Sequence, residues 1–132
     1  MKKSLLFLFT FFLNLSAFAQ ESQGKLSDTH KSPETILAEI KTGKAYLVDV
    51  RTPEEYGEGH LAHSKNIDFR AANFKDQISK LDKNKPVYLY CRSGNRSGRA
   101  ADTLQTLGFK SPFNIGGFVD LTTAGLPAEP KP

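Results

Sequence analysis

A single cysteine and the loop that follows it carry the residue types best suited to chemistry. Cys91 is the only cysteine in the 132-residue chain, and residues 91–98 read Cys-Arg-Ser-Gly-Asn-Arg-Ser-Gly. Cations near a thiol, or the N-terminus of a helix, stabilise the thiolate and so lower the thiol pKa. Arg92 and Arg96 can also bind an oxyanion through two parallel hydrogen bonds. The loop therefore predicts an activated sulfur nucleophile beside an anion pocket.

The segments on either side of this loop predict the elements that position it. Residues 86–90 form an apolar, β-favouring run that is typical of a buried strand. Downstream, Ala100, Leu104 and Leu107 recur at helical spacing. Cys91 is thus predicted at the carboxyl end of a strand, where open α/β folds place their ligand sites. Successive backbone N–H groups of such a loop point into a concavity that stabilises negative charge.

The competing interpretation is that Cys91 is a small buried side chain, which is the usual role of a free cysteine. Three arginines, at 92, 96 and 99, follow within eight residues, and charges crowded onto a packed core would be costly. This argument favours a functional Cys91 and a functional Arg96. For Arg99, which lies one turn into the predicted helix, a solvated side chain and a functional one both remain open.

The spacing between cysteine and arginine separates two chemistries. Arg96 completes a Cys-x4-Arg pattern, and the next position is Ser97. Cysteine-dependent phosphatases use Cys-x5-Arg, in which the longer loop fits a tetrahedral phosphate. A loop one residue shorter makes a tighter cradle, which suits a sulfur atom carried on the cysteine. The spacing therefore predicts sulfur chemistry rather than phosphate chemistry.

Alternating strands and helices predict a parallel sheet that is covered by helices on both faces. A helix is predicted to begin at Ser32, where a serine cap precedes proline, and another at Thr52, which also precedes proline. The other predicted elements are strands at 45–50, 66–68 and 112–115, a helix at 69–81, a turn at 57–61 and a polar connection at 82–85.

A second motif, upstream of the cysteine loop, makes the pattern specific. The motif consists of Asp49, Arg51, Pro53, Glu55, Tyr56, Gly59 and His60, followed by Leu61 at a position where this motif usually has isoleucine. Together with the cysteine loop it resembles the single-domain rhodanese family, over about residues 33–126. The resemblance implies an α/β fold, a rhodanese-like open parallel sheet flanked by helices on both faces. It also implies that Asp49 and Arg51 brace the active-site region by hydrogen bonds and that His60 is a packing residue.

The resemblance extends to residues 116–118, which are similar to the family's Gly-Gly-Trp helix start. Phe118 stands where tryptophan is usual, and the effect of this change on the wall of the pocket is left open.

The activity that the resemblance implies is that of a thiosulfate sulfurtransferase, with Cys91 as the catalytic residue. Its thiolate would take a sulfane sulfur from a small anionic donor and pass it, through a persulfide, to a thiol, a protein acceptor or cyanide. The predicted substrate-binding residues are Arg92, Ser93, Gly94, Asn95, Arg96 and Ser97. A non-catalytic sulfur carrier or rhodanese-like binding module remains an alternative. A phosphatase or arsenate reductase is another, and the loop length argues against it.

The histidines and the charge balance exclude other classes. His60 and His63 are three residues apart, but no acid or cysteine cluster joins them at a ligand spacing. No metal site and no cofactor are therefore predicted, and nothing indicates the oriented histidine base of a thiol protease. The formal net charge of the full chain is +4 and falls to +2 once residues 1–19 are removed. A net charge so close to zero does not indicate a nucleic-acid-binding protein.

The first residues predict export. A basic start, an apolar run from Leu5 to Leu13 and a final Ala-Phe-Ala are typical of a signal peptide that is cut after Ala19. The apolar run is too short for a spanning helix, so no membrane anchor is expected after cleavage. A periplasmic or secreted location follows, and a lone cysteine excludes an internal disulfide. The remaining predicted divisions are a mobile segment at 20–31, a rhodanese domain at 32–126 and a tail at 127–132.

Overall fold

A four-stranded parallel sheet runs through the centre of the computed structural model, which describes residues 28–130. In chain order the elements are α1 (Pro33–Lys41), β1 (Tyr46–Asp49), α2 (Pro53–Glu58), β2 (His60–Leu61), β3 (Lys65–Asn66), α3 (Phe74–Ile78), β4 (Val87–Cys91), α4 (Asn95–Thr106), β5 (Pro112–Gly117), α5 (Phe118–Thr123) and β6 (Ala128–Glu129). The strand order is β3-β1-β4-β5, and each neighbouring pair is parallel. The short strands β2 and β6 pair with each other in antiparallel fashion.

Two apolar clusters cover the two faces of the sheet. Alternate residues of β4 belong to different clusters, as the period of a strand requires. One cluster packs Leu89 against residues of α3 and α4, and the other packs Tyr88 against residues of α1 and α5. Every residue of β4 is buried. This arrangement confirms the predicted parallel sheet with helices on both faces.

Local capping explains where the first two helices begin. The Ser32 hydroxyl accepts a hydrogen bond from the Thr35 N–H at 3.2 Å, and Pro33 occupies the first helical position. At α2, Thr52 and Glu55 form a reciprocal capping box, in which each side chain accepts from the other residue's backbone N–H. Both predicted helix starts are confirmed.

The predicted helix at 69–81 is wrong in extent, because only Phe74–Ile78 is helical. Residues 68–74 instead form turns, in which the Ala71 N–H donates to the Asp68 carbonyl and the Phe74 N–H to the Ala71 carbonyl. The ring of Phe69 packs edge-on against Phe74, with centroids 5.1 Å apart, and anchors this non-helical segment. Apolar spacing alone could not separate an anchored turn from a helix.

Two further boundaries differ from the prediction. The strand expected at 66–68 is Lys65–Asn66, which pairs with residues 48–49 of β1. The helix expected from 116 begins at Phe118, because both glycines before it belong to β5. The predicted C-terminal tail contains β6, whose pairing with β2 places residues 128–129 against the body of the protein.

The predicted signal peptide, its cut site and residues 20–27 of the predicted mobile segment lie outside the described residues. Within residues 28–130, no helix is long and apolar enough to cross a membrane.

Candidate active site

Cys91 is the last residue of β4, and the start of α4 curls around its sulfur. Only residues 92–94 separate the strand from the helix, which begins at Asn95, so that Arg99 lies about one turn into it, as the sequence predicted. The Cys91 residue is 1% exposed, so its sulfur lies at the bottom of the loop. The first turn of α4, which includes Arg96 and Ser97, is therefore part of the cradle itself.

Three donors from the loop and helix lie around the Cys91 sulfur. The Gly94 N–H donates to Sγ at 3.0 Å, the Ser97 N–H at 3.5 Å and the Ser97 hydroxyl at 3.3 Å. Burial by itself raises the pKa of the Cys91 thiol, but the bonds from Ser97 and the backbone N–H groups of Ser93 and Gly94 outweigh it. The net pKa of the thiol is lowered, which favours the thiolate. We call this set of residues, together with Asn114, the sulfur pocket.

Asn114 is a member of the sulfur pocket that the sequence did not single out. Its amide nitrogen donates to the Gly94 carbonyl at 3.0 Å, and its oxygen accepts from the Gly116 N–H at 3.1 Å. Because both amide atoms have backbone partners, the orientation of the amide is fixed. The oxygen also lies 2.8 Å from the Ser97 hydroxyl, whose single proton can reach either Asn114 or Cys91.

An irregularity in β5 places Asn114 there. Leu89 pairs with Asn114, whereas Tyr90 pairs with Gly116, so Ile115 is an extra residue in β5. The sequence does show Asn114 as the one strongly polar residue in a predicted apolar strand, Pro-Phe-Asn-Ile. It does not show the strand register that places this residue beside the cysteine loop.

Two glycines permit the loop to pack closely on β5. Gly94 has a φ of +92°, in the region that favours glycine. A Cβ added at Gly117 would lie 2.5 Å from the Arg92 carbonyl oxygen and 3.2 Å from the Ser93 Cα. Gly117 therefore sets how closely the loop approaches the sheet, because only a residue without a side chain fits against the loop backbone.

The two loop arginines occupy different environments. Arg96 binds the Glu55 carboxylate with both terminal nitrogens, at 2.7 and 3.0 Å. This bond lowers the pKa of Glu55 to about 2 and raises the pKa of Arg96. Arg92 is exposed and, among residues 28–130, forms no ion pair. The pairing of Arg96 with Glu55 was not anticipated, although both residues follow the carboxyl ends of adjacent strands.

A buried ion pair lies at the end of the strand next to the cysteine. Asp49 is fully buried, and Arg51 contacts it at 2.6 Å and also donates to the Gly59 carbonyl at 2.8 Å. The Arg51 guanidinium lies 4.5 Å from the Phe118 ring centroid. The bracing role of Asp49 and Arg51 stays a prediction, and Phe118 packs on the Arg51 cation.

His60 contacts residues of α2 and β6. His60 is 8% exposed and stacks on Tyr56 at 3.8 Å between centroids. Its ring nitrogens lie 3.0 Å from the Tyr56 carbonyl and 3.2 Å from Glu129, which ties β6 to this region. His63 is exposed. Within residues 28–130, no group of three or more histidine, cysteine or acidic side chains is arranged to hold a metal ion.

Within residues 28–130, two cavities are lined in part by Arg92 of the cysteine loop. The larger, of about 850 Å³, is lined by Glu55, Phe69, Arg70, Arg92, Ser93, Asn95, Arg96 and Arg99, and we call it the arginine basin. The smaller, of about 350 Å³, is lined by Arg51, Glu55, Glu58, Gly59, Arg92, Phe118 and Val119. Cys91 is buried and lines neither cavity, whereas Arg92 lines both. A substrate would therefore meet the arginines before it meets the sulfur.

Comparison with known proteins identifies the family. A model of the rhodanese-like domain matches residues 32–124. The chain is 43% identical over 76 residues to YqhL, an uncharacterised protein of Bacillus subtilis, and this match covers 57% of the chain and 59% of YqhL. It is 34% identical over 76 residues to the thiosulfate sulfurtransferase PspE of Escherichia coli, covering 58% of the chain and 73% of PspE. The chain belongs to the rhodanese-like domain family.

A solved structure supports the same assignment at the level of the fold. A rhodanese with anions from Escherichia coli matches with a TM-score of 0.57 and 30% identity, covering 65% of this chain and 98% of the other. The predicted resemblance to rhodaneses and the predicted fold class are therefore both confirmed.

Proposed function

We propose that the protein is a sulfurtransferase that moves a sulfane sulfur from thiosulfate, or a related anionic donor, to a thiol through a Cys91 persulfide. The observation that carries the proposal is the set of three donors around Cys91 Sγ, which lowers the thiol pKa despite burial. The name of the relative PspE supports the choice of thiosulfate.

The first half-reaction loads the cysteine. The Cys91 thiolate attacks the outer sulfur of thiosulfate, a new S–S bond forms, and the S–S bond within thiosulfate breaks. Sulfite leaves with the electron pair of the broken bond. The outer sulfur of the resulting persulfide is then anionic, and the N–H groups of Gly94 and Ser97 lie where they stabilise charge on sulfur.

The second half-reaction unloads it. An acceptor thiolate attacks the outer persulfide sulfur, the acceptor's own persulfide forms, and the Cys91 thiolate is regenerated. Arg92, which is exposed beside the loop, attracts the anionic donor and offsets charge on the departing sulfite. Arg96 is held by Glu55, so its charge is fixed at the wall of the arginine basin.

Intact mass measurement tests the first half-reaction directly. After thiosulfate treatment and removal of excess reagent, the protein is expected to gain one sulfur atom, and cyanide is expected to remove it. Cys91→Ser is the matched control and should gain nothing. A protein that stays unmodified, or a Cys91→Ser variant that turns over thiosulfate as well as the natural sequence does, contradicts the proposal.

We also propose that the protein works outside the cytoplasm, on the strength of the signal-like residues 1–19. The test is the N-terminal residue of the mature protein isolated from the periplasm or medium of its native host, and Gln20 is expected. Recovery of the chain from the cytoplasm with its first residues intact contradicts this location.

A further inference from the structure

The arginine basin is strongly cationic for a protein that is otherwise near charge balance. Its ionisable lining residues are four arginines and one acid, and Glu55 is already paired with Arg96. The other three, Arg70, Arg92 and Arg99, are exposed and form no ion pair within residues 28–130. Three uncompensated cations around one concavity favour an anionic occupant.

Phe69 gives one side of the basin a defined shape. The Arg99 guanidinium lies 5.5 Å from the Phe69 ring centroid, and Phe69 is in turn fixed by its edge contact with Phe74. An arginine stacked on an aromatic ring keeps the N–H groups at its edge available to a carboxylate. Arg99 is thus partly ordered before any ligand arrives.

The basin is larger than the donor requires. Thiosulfate is a small inorganic ion, whereas cavities of roughly 300–1,000 Å³ hold ligands of drug size. The basin has a volume of about 850 Å³. It extends from Arg92 in the cysteine loop to Arg99 in α4 and to Arg70 in the turns before α3. It has room for a substrate that meets the cysteine loop at Arg92 and Ser93 and carries charge at its other end.

We propose that Arg70 and Arg99, which line the basin together with Phe69, form an anion subsite for the carboxylates of the sulfur acceptor, and that this acceptor is a low-mass thiol with two or more carboxylates. The inference rests on the proposed function, because it concerns the second half-reaction. The acceptor thiolate attacks the outer persulfide sulfur while its carboxylates bind the two arginines. The acceptor leaves as a persulfide, and the Cys91 thiolate is restored.

The test isolates the second half-reaction. Cys91 is loaded with thiosulfate, excess donor is removed, and single-turnover unloading is measured with 2-mercaptoethanol, 3-mercaptopropionate and mercaptosuccinate, which carry no, one and two carboxylates. The protein is compared with the double variant Arg70→Ala/Arg99→Ala and with Lys110→Ala, an exposed cation that lines neither cavity. Ratios between variants for each thiol cancel the intrinsic reactivity of that thiol.

The double variant is expected to lose about tenfold in rate with mercaptosuccinate, about threefold with the monocarboxylate and nothing with 2-mercaptoethanol, as two exposed ion pairs would give. Added salt should shrink these differences, because it screens exposed charges. Lys110→Ala should match the natural sequence with all three thiols. Equal losses for all thiols, or no loss with mercaptosuccinate, overturn the subsite. Failure of the loading step is a different result, because it overturns the sulfurtransferase proposal itself.

Discussion

The sulfur pocket and the arginine basin lie side by side and are built in opposite ways. In the sulfur pocket the reactive atom is buried, the Gly94 and Ser97 N–H groups donate to it, and the fixed amide of Asn114 donates to the Gly94 carbonyl. In the arginine basin most cations are exposed and unpaired within the described residues. The pocket can stabilise charge at one fixed point, whereas the basin can attract many anions and holds none of them rigidly. We therefore expect the pocket to determine the chemistry and the basin to determine which substrates reach it.

The largest expected effect comes from displacing the loop of the sulfur pocket. In Gly117→Ala, the new Cβ would lie 2.5 Å from the Arg92 carbonyl, so the loop must shift. A displacement of this kind is expected to slow persulfide formation by about 100-fold. The measurement is the single-turnover rate with thiosulfate.

Gly57→Ala is the matched control for this change, because a Cβ at Gly57 meets nothing within 4 Å. It should load sulfur as the natural sequence does. If Gly117→Ala loads at an undiminished rate, close packing of the loop on β5 is not what shapes the pocket.

The next effect concerns the thiol pKa. In Ser97→Ala the hydroxyl donor to Cys91 Sγ is lost, which removes stabilisation from the thiolate, so the thiol pKa is expected to rise. Alkylation by neutral iodoacetamide should slow about tenfold below the thiol pKa and recover at high pH, because only the thiolate reacts.

Ser93→Ala is the control for this experiment, because it removes an exposed hydroxyl and keeps the backbone N–H that faces the sulfur. An unchanged pH profile in Ser97→Ala would show that the backbone N–H groups alone set the pKa.

The sequence was sufficient for the sulfur pocket where one short segment supplies all of its parts. Cys91, the strand before it and the N–H groups after it are consecutive, so local patterns predicted their arrangement. Asn114 was missed because its position depends on an extra residue in a neighbouring strand, and such a register is not visible in a single sequence. The ion pair of Arg96 with Glu55 was missed for a similar reason, since it joins residues 41 positions apart.

The arginine basin was less predictable than the pocket, and its residues explain why. The apolar spacing around residues 69–81 predicted a continuous helix, which would not have presented Phe69 and Arg70 in turns beside the loop. The role of Arg99 was left open from the sequence, and its place in the lining of the basin depends on where α4 lies against that segment. Surfaces assembled from separate parts of the chain require the fold before they can be described.

A smaller effect concerns the border between the two regions, where Glu55 holds Arg96. The folded state lowers the Glu55 pKa from 4.5 to about 2, so the ion pair contributes stability above the unfolded pKa. This contribution is lost as the pH falls through the folded value. Glu55→Gln is therefore expected to be less stable than the natural sequence at pH 7, by about 1 kcal/mol.

Urea unfolding at pH 7 and at pH 2 measures this difference, which should shrink at the lower pH, because at pH 2 Glu55 is protonated in the unfolded state and about half protonated in the folded state. Glu54→Gln is the control, because Glu54 is exposed in the same helix and forms no ion pair within the described part of the chain. A difference that is as large at pH 2 as at pH 7 would mean that packing, rather than charge, accounts for the effect of Glu55.

The smallest expected effect is that of Arg92→Ala, which tests attraction of the anionic donor separately from the reactivity of Cys91. Arg92→Ala removes an exposed cation at the edge of the basin and leaves the donors around Cys91 in place. Because an exposed charge acts mainly on the encounter, kcat/KM for thiosulfate is expected to fall about threefold to fivefold at low salt and by less at high salt. Alkylation by neutral iodoacetamide should not change, since that reagent carries no charge to attract. If Arg92→Ala instead slows both reactions equally, Arg92 supports the loop itself, and the division between a pocket for chemistry and a basin for attraction does not hold at this residue.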